Sequence, residues 1–218
     1  MLDFILSQKE SFDLEMGYWK EKLLDVIPLN LGIDFTGSTS SEANKAAIEF
    51  LIEKEISVPL NSLSKEHNVS LFITLLSVFK VLLYRYSNQE DICVGNIITY
   101  KSANPPDYFV NLVALRDNLN GEDKFPDLLK RVNNTTLEAY NHQKTPFEIV
   151  VNNLVKNADV VINPLFQVMF LLSNETDAPQ PDILSQQTGK YDLAFILNRA
   201  PSGYVSIKIE YTTGLYQK

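Results

Sequence analysis

The chain has 218 residues, 45% of them hydrophobic and 21% charged, with 27 acidic side chains against 19 basic ones. A globular chain of this size buries about 70% of the surface it exposes when unfolded, and its composition excludes wholesale disorder and low-complexity architecture. The net charge of −8 argues against a nucleic-acid binder, which draws most of its affinity from neutralised phosphates. One cysteine, Cys93, excludes an internal disulfide and any multi-cysteine zinc site and fits a reducing compartment. Two histidines leave little room for imidazole chemistry.

Asp3 sits early in the chain and no basic stretch precedes an apolar run, so the N-terminus does not read as an export signal. The most apolar segment, Leu71 to Tyr84, is interrupted by Lys80 and is too short to span a bilayer. The expectation is a cytoplasmic protein with no membrane and no nucleic acid among its partners.

Phe12, Met16, Trp19 and Leu23 fall at helical spacing and predict a first amphipathic helix, stopped by Pro28. Gly37 to Ser41 reads as a loop. From Ala46 the pattern alternates, with Ile48, Phe50 and Ile52 on one face and Glu49 and Glu53 on the other, as in a half-buried strand; Glu53 and Glu55 read as its solvated side. His67 falls in a polar linker, Lys65 to Asn68. Ser70 can cap a long helix with Phe72, Leu75, Leu76, Phe79, Leu82, Leu83 and Tyr86 facing inward.

Ile92 to Thr99 is β-branched and predicts a strand; Asn104, Pro105 and Pro106 mark a loop, and Tyr108 to Leu119 another strand. Phe125, Leu128, Leu129, Val132, Thr136, Ala139 and Tyr140 line one face of a second long helix. Thr145-Pro146-Phe147-Glu148 has the spacing of a capping box. Asn163-Pro164 is a turn, Leu165 to Leu172 an apolar strand covered on both faces, and Ser173 to about Gly189 a polar loop. The end reads as a hairpin: Tyr191 to Arg199, a turn over Ala200 to Gly203, then alternating Val205, Ile207, Ile209 and Tyr211. These elements predict one α/β domain, a two-layer sandwich of helices on a mixed sheet.

Candidate chemistry is sparse. Cys93 lies within Ile92-Cys93-Val94-Gly95 and reads as a small buried hydrophobe. No glycine-rich phosphate cradle is present, and no His, Cys and carboxylate set has metal-ligand spacing, so neither a metal nor a bound cofactor is expected. His142 closes the second long helix, where an imidazole complements the helix dipole; its alternative is a catalytic role. Asn111 sits in an otherwise apolar strand and is either hydrogen-bonded internally or faces a channel where a polar ligand meets it.

Several segments resemble the C-terminal half of a condensation domain from a nonribosomal peptide synthetase. Leu2-Asp3-Phe4 with Tyr18-Trp19-Lys20-Glu21-Lys22-Leu23 is similar to the family's segment leaving its N-terminal lobe, and Leu71 to Gly95 to its long helix and following strand. Phe109-Val110-Asn111 with Arg116 resembles the FVN motif, His142-Gln143 with Pro146-Phe147-Glu148 the HQDxPFE motif, and Asn163-Pro164-Leu165-Phe166-Gln167 the end of RDxSRNPLFQ. Lys144 stands where HQD has its aspartate, Asn157 to Ile162 replace the Arg-Asp-x-Ser-Arg run, and the stretch between Gly95 and Phe109 is shorter than in the family.

The resemblance implies a chloramphenicol acetyltransferase-like half-domain over residues 1–218, lacking the N-terminal lobe that carries the HHxxxDG motif. It implies one wall of a tunnel in which thioesters, carried on the phosphopantetheine arms of peptidyl carrier proteins, are joined by an amide bond. Asn111, Arg116 and His142 are then the candidate substrate-tunnel residues, with no catalytic residue in this chain and no activity expected from it alone. The implied partners are carrier proteins and an N-terminal lobe supplied in cis or in trans. The alternative is a non-catalytic module that docks carrier proteins or synthetase subunits, or self-associates through the face that would meet the other lobe.

Overall fold

The computed structural model describes residues 2–35, 44–101, 108–155, 165–174, 191–199 and 204–217. The expected loops at Gly37–Ser41, Asn104–Pro106 and beyond Asn174, and the turns at Asn163-Pro164 and Ala200–Gly203, lie outside the described residues. In chain order the elements are α1 (Leu2–Leu23), β1 (Lys45–Ile52), α2 (Lys54–Glu66), α3 (Leu71–Ser87), β2 (Asp91–Lys101), β3 (Tyr108–Asn118), α4 (Phe125–Asn141), α5 (Phe147–Leu154), β4 (Val168–Asn174), β5 (Leu193–Arg199) and β6 (Val205–Thr212). Six strands form one mixed sheet ordered β1-β6-β5-β4-β2-β3. β4 runs parallel to both β2 and β5, and the remaining pairs are antiparallel.

Local chemistry explains most of these boundaries. The Ser70 hydroxyl accepts from the Ile73 N–H at 3.2 Å and starts α3, while Asn88, at φ 54°, ends it in the left-handed conformation that asparagine tolerates. The ring of Phe79 stacks on Phe170 at 4.9 Å and meets Phe195 at 4.5 Å, which seats α3 on β4 and β5. β5 and β6 pair antiparallel from Leu193–Tyr211 to Arg199–Val205, as the expected hairpin. Gly95 is required by close approach: a Cβ there would overlap the Phe166 ring and the Met169 sulfur.

Three local expectations are corrected. Residues 54–66, read as a strand end and polar linker, form α2, with Glu53 as its N-cap residue, Glu55 in its first turn and His67 at its C-cap. This helix escapes the apolar-stripe pattern because its seam with α3 is polar: Ser57 and Ser64 are buried, the Ser64 and Thr74 hydroxyls lie 2.7 Å apart, and Ile56 and Val58 face outward. The inner face of α3 is also turned from the expected one: Leu82 and Tyr86 are 44% and 77% exposed, whereas Lys80 is completely buried. Finally, Thr145 does not cap α5; Pro146 takes the N-cap position and no side chain of that turn bonds the helix start.

Lys80 is drawn inward by a partner on the sheet. Its ammonium donates to the Leu115 carbonyl at 2.7 Å and to the Asp117 carboxylate, whose other oxygen accepts from the Thr135 hydroxyl at 2.6 Å. One dry charge pair thereby joins α3, β3 and α4. Burial by itself would raise the Asp117 carboxyl, but the Lys80 charge and the hydrogen bonds from Lys80 and Thr135 outweigh it and hold Asp117 below the usual carboxylate range.

Removing one partner strands a buried charge, so Lys80→Met or Asp117→Leu is expected to cost about 3–5 kcal/mol, and the double variant to recover most of that loss, in urea titrations. Because the native Asp117 value is depressed, its contribution is fully present above the unfolded-state value near 3.9. It is lost as pH falls from there through the lower native value, and the double variant should lose less stability over that acid window than the parent.

Candidate functional site

Three of the motif segments meet at one junction. The carboxamide of Asn111, on β3, donates from Nδ2 to the Gln143 and Thr145 carbonyls at 2.7 and 2.9 Å. Its Oδ1 accepts from the Leu112 N–H at 2.9 Å and from the Phe147 N–H at 3.1 Å. Both amide hydrogens and both lone pairs are therefore used. Asn111 supplies the cap that Thr145 does not, reaching across from the strand to the first turn of α5.

Aromatic packing completes the junction. Phe147 lies 5.3 Å from Phe166, which stacks on Tyr191 at 5.2 Å and fills the space above Gly95. Next to it, the Gln167 side chain accepts from the Leu29 N–H at 3.0 Å and ties down the strap that follows α1. Gln89, before β2, holds the same strap from its other side, accepting from the Asn30 N–H at 2.6 Å and donating to the Pro28 carbonyl at 3.2 Å.

Arg116 and His142 lie elsewhere, on an open cleft of about 560 Å³ where the second half of α1 faces the end of the sheet and the end of α4. α1 contributes Tyr18, Glu21 and Lys22; the sheet contributes Asp91, Arg116 and Asn118; Glu138 and His142 close the far side. Asn111 does not line it, so two of the three candidate tunnel residues share a cavity and the third does not.

The polar groups of the cleft are largely committed to one another. Arg116 grips Asp91 through two hydrogen bonds, from Nε at 2.8 Å and from Nη2 at 2.7 Å, while its Nη1 donates to the carbonyls of Lys22 and Leu24 at 3.0 and 2.7 Å. Its guanidinium thus acts as a C-terminal clamp on α1, and the hydrogen bonds to Asp91 hold its proton all the more firmly. Lys22 pairs with Glu138 at 3.3 Å. The Trp19 indole N–H donates to the His142 carbonyl at 3.0 Å, and the His142 ring stacks on Tyr18 at 4.0 Å. Burial, reinforced by the Glu138 charge, pushes the Tyr18 phenol far above its ordinary value.

Cys93, opposite Arg116 in the β2–β3 pair, is fully buried, and burial pushes its thiol up to about 12, so it is a core side chain rather than a nucleophile at neutral pH. Among the described residues no group of three or more His, Cys, Asp or Glu could hold a metal ion, and no single helix is long and apolar enough to cross a membrane. Tyr18, which opens the family-like segment Tyr18 to Leu23, and Glu15, which lies outside every motif segment, frame His142.

Residues 3–218 match the Condensation domain family. The chain is 35% identical, over 98% of its length, to one of the linear gramicidin synthase subunits of Brevibacillus parabrevis, and it spans about 5% of that protein. Among solved structures it superposes with a TM-score of 0.82 and 20% identity on a four-domain nonribosomal peptide synthetase bound to AMP and glycine, covering 94% of this chain and 18% of that one. It superposes with a TM-score of 0.81 and 18% identity on the complex of the X-domain and OxyB from teicoplanin biosynthesis, covering all of this chain and 51% of that one. These structures show a shared fold.

The junction predicts the ranking of substitutions at Asn111. Asn111→Ala should cost about 1–3 kcal/mol through the lost cap and the stranded carbonyls. Asn111→Asp should cost more, since it turns a carboxylate toward the Gln143 and Thr145 carbonyls, whereas Arg116→Ala should loosen α1 while leaving α5 in place. Urea unfolding monitored by far-UV circular dichroism checks the order.

Proposed function

The chain belongs to the condensation-domain family, and from that premise we propose that it forms the C-terminal lobe of a nonribosomal peptide synthetase condensation domain, one wall of the channel in which carrier-bound thioesters are joined. The observation that carries this reading is the coincidence of the family-like motifs with the Asn111, Phe147 and Phe166 junction, supported by the family match over nearly the whole chain.

In the reaction proposed, the amine on one carrier attacks the thioester carbonyl on another. The C–N bond forms, the C–S bond breaks, the upstream phosphopantetheine leaves as a thiol, and the amine gives up one proton. The proton acceptor has to come within hydrogen-bond reach of that amine. Two of the three candidate side chains are engaged, Asn111 with no free hydrogen-bonding capacity and Arg116 spent on Asp91 and α1, while the third, His142, is stacked on Tyr18 with its Nδ1 closed to solvent 3.5 Å from Glu15. The proposed division of labour gives proton handling to an N-terminal lobe, in cis or in trans, and gives this chain the scaffold. Cofactors enter only as the phosphopantetheine arms of carrier proteins, in a cytoplasmic setting.

A docking module is the second reading. It is favoured by the strap after α1, which leaves Leu24, Ile27, Ile33 and Phe35 46–63% exposed, and by likeness to a domain solved in complex with another protein.

Condensation assays with two loaded carrier proteins separate the readings. The scaffold reading predicts amide product only when an N-terminal lobe is added, with Asn111→Ala lowering the yield of assembled lobes rather than the rate per assembled complex. Stable carrier binding without product under both conditions supports the docking module, and product from this chain alone contradicts both.

A further inference from the structure

The two edges of the sheet differ. At one edge β3 is engaged toward both of its ends, where Asn111 bonds the segment from Gln143 to Phe147 and Arg116 bonds the end of α1. At the other edge β1 is hydrogen-bonded to β6 alone among the described residues, in one unbroken register from Lys45–Thr212 to Ile52–Val205. The Thr213 N–H donates to the Asn44 carbonyl at 3.0 Å, so in the alternation of an antiparallel ladder the even-numbered residues of β1 bond to β6. Lys45, Ala47, Glu49 and Leu51 therefore turn their backbone N–H and C=O groups to the open side.

An open edge is ordinarily guarded by proline, by a bulge, or by charged side chains, lysine above all. β1 contains no proline and its pairing with β6 has no bulge. Its one lysine, Lys45, turns its ammonium away from the edge, donating to the Tyr191 carbonyl and, at 2.7 Å, to Thr212 Oγ1. Glu49 is the one charge left within the strand, while Phe50 and Leu51, on opposite faces, are 53% and 62% exposed. Such an edge is a template for another extended strand.

We propose that β1 pairs antiparallel with β1 of a second copy of this chain, about a twofold axis at Ile48, joining two six-stranded sheets into one. The strand complements itself, which favours a second copy over an unrelated peptide. With the axis at Ile48, Lys45 stands opposite Leu51 of the second copy and Ala47 opposite Glu49, so every open N–H and C=O of the four outward residues is mated. The same register sets Ala46 opposite Phe50, small against large, and brings no like charges face to face. An axis at Glu49 would oppose the two Glu49 carboxylates, and an axis at Ala47 would leave Leu51 past the end of the second strand. Because β3 is engaged at the far edge, association stops at two copies instead of growing into a fibre. The pairing lies across the sheet from the motif strand and goes beyond the condensation reading without depending on it.

Sedimentation of the full chain from about 5 to 500 μM should show the mass rising to that of two copies and no further, a concentration dependence expected because one strand edge is smaller than the about 800 Å² per partner of a standard interface. Ala47→Pro removes an N–H that faces outward rather than toward β6, so the chain should remain folded by thermal unfolding while dimerisation weakens about tenfold or more. With glutathione disulfide as oxidant, Ile48→Cys should cross-link to its own copy, since a non-hydrogen-bonded pair at the axis has Cα atoms about 4.5 Å apart. Ala46→Cys and Phe50→Cys should each stay uncross-linked alone and cross-link when the two variants are mixed; Cys93 is buried, and the parent chain gives the background. A parent chain that stays monomeric, a mass that passes two copies, a dimer that Ile48→Cys does not cross-link, or undiminished dimerisation of folded Ala47→Pro overturns the proposal. Neither carrier proteins nor a second lobe enters the experiment, so its outcome is separate from that of the condensation assay.

Discussion

The carboxamide of Asn111 sets the constraint on which this half of the molecule turns. A polar side chain in an apolar strand is tolerable only if every hydrogen-bonding position is filled. Here all four are filled by backbone groups, and three of these lie on the segment that carries the chain from α4 into α5. Meeting that one requirement fixes the turn at residues 143–147, places Phe147 against Phe166, and sets Phe166 over Gly95, where a Cβ would overlap its ring. The motif residues at this junction are thus interdependent through contact and hydrogen bonding.

The buried pair of Lys80 and Asp117 plays a complementary part at the other end of β3. Their register is unforgiving: a slip of one residue along β3 would turn Asp117 out of the core and leave the Lys80 ammonium in a dry interior. The two polar nodes, six residues apart on the same strand, lock β3 to α3 and α4 at one end and to α5 at the other. A strand at the edge of the sheet, paired on only one side by β2, gains its definition from these side-chain bonds.

Much of this architecture was legible in the sequence because it is written in local periodicity. α3, α4, the apolar β4 and the β5–β6 hairpin follow from spacing and caps. What escaped were features decided by distant partners. The T-x-x-E pattern at Thr145 is a sound local signal, but an asparagine 34 residues before it takes over the cap, as its bond to the Phe147 N–H shows. Lys80 reads as an interruption of an apolar face, and only Asp117, 37 residues on, turns it inward and rotates the helix. α2 was missed because it buries serines rather than leucines. At the cleft, the motifs point to Arg116 and His142, yet the clamp on α1 and the stacking with Tyr18 depend on how α1 returns to the sheet, which no spacing reveals.

If Asn111, Phe147 and Phe166 form a rigid structural junction, hydrogen exchange shows it: the Phe147 N–H and the Asn111 side-chain amide hydrogens exchange only with the global opening that also releases the β2 and β3 core amides of Val94 and Leu115, since breaking the cap requires unseating α5 from the sheet. Exchange of Phe147 and Asn111 through a separate low-energy opening, with Val94 and Leu115 still protected, would show a mobile, ligand-ready site at this position and contradict it.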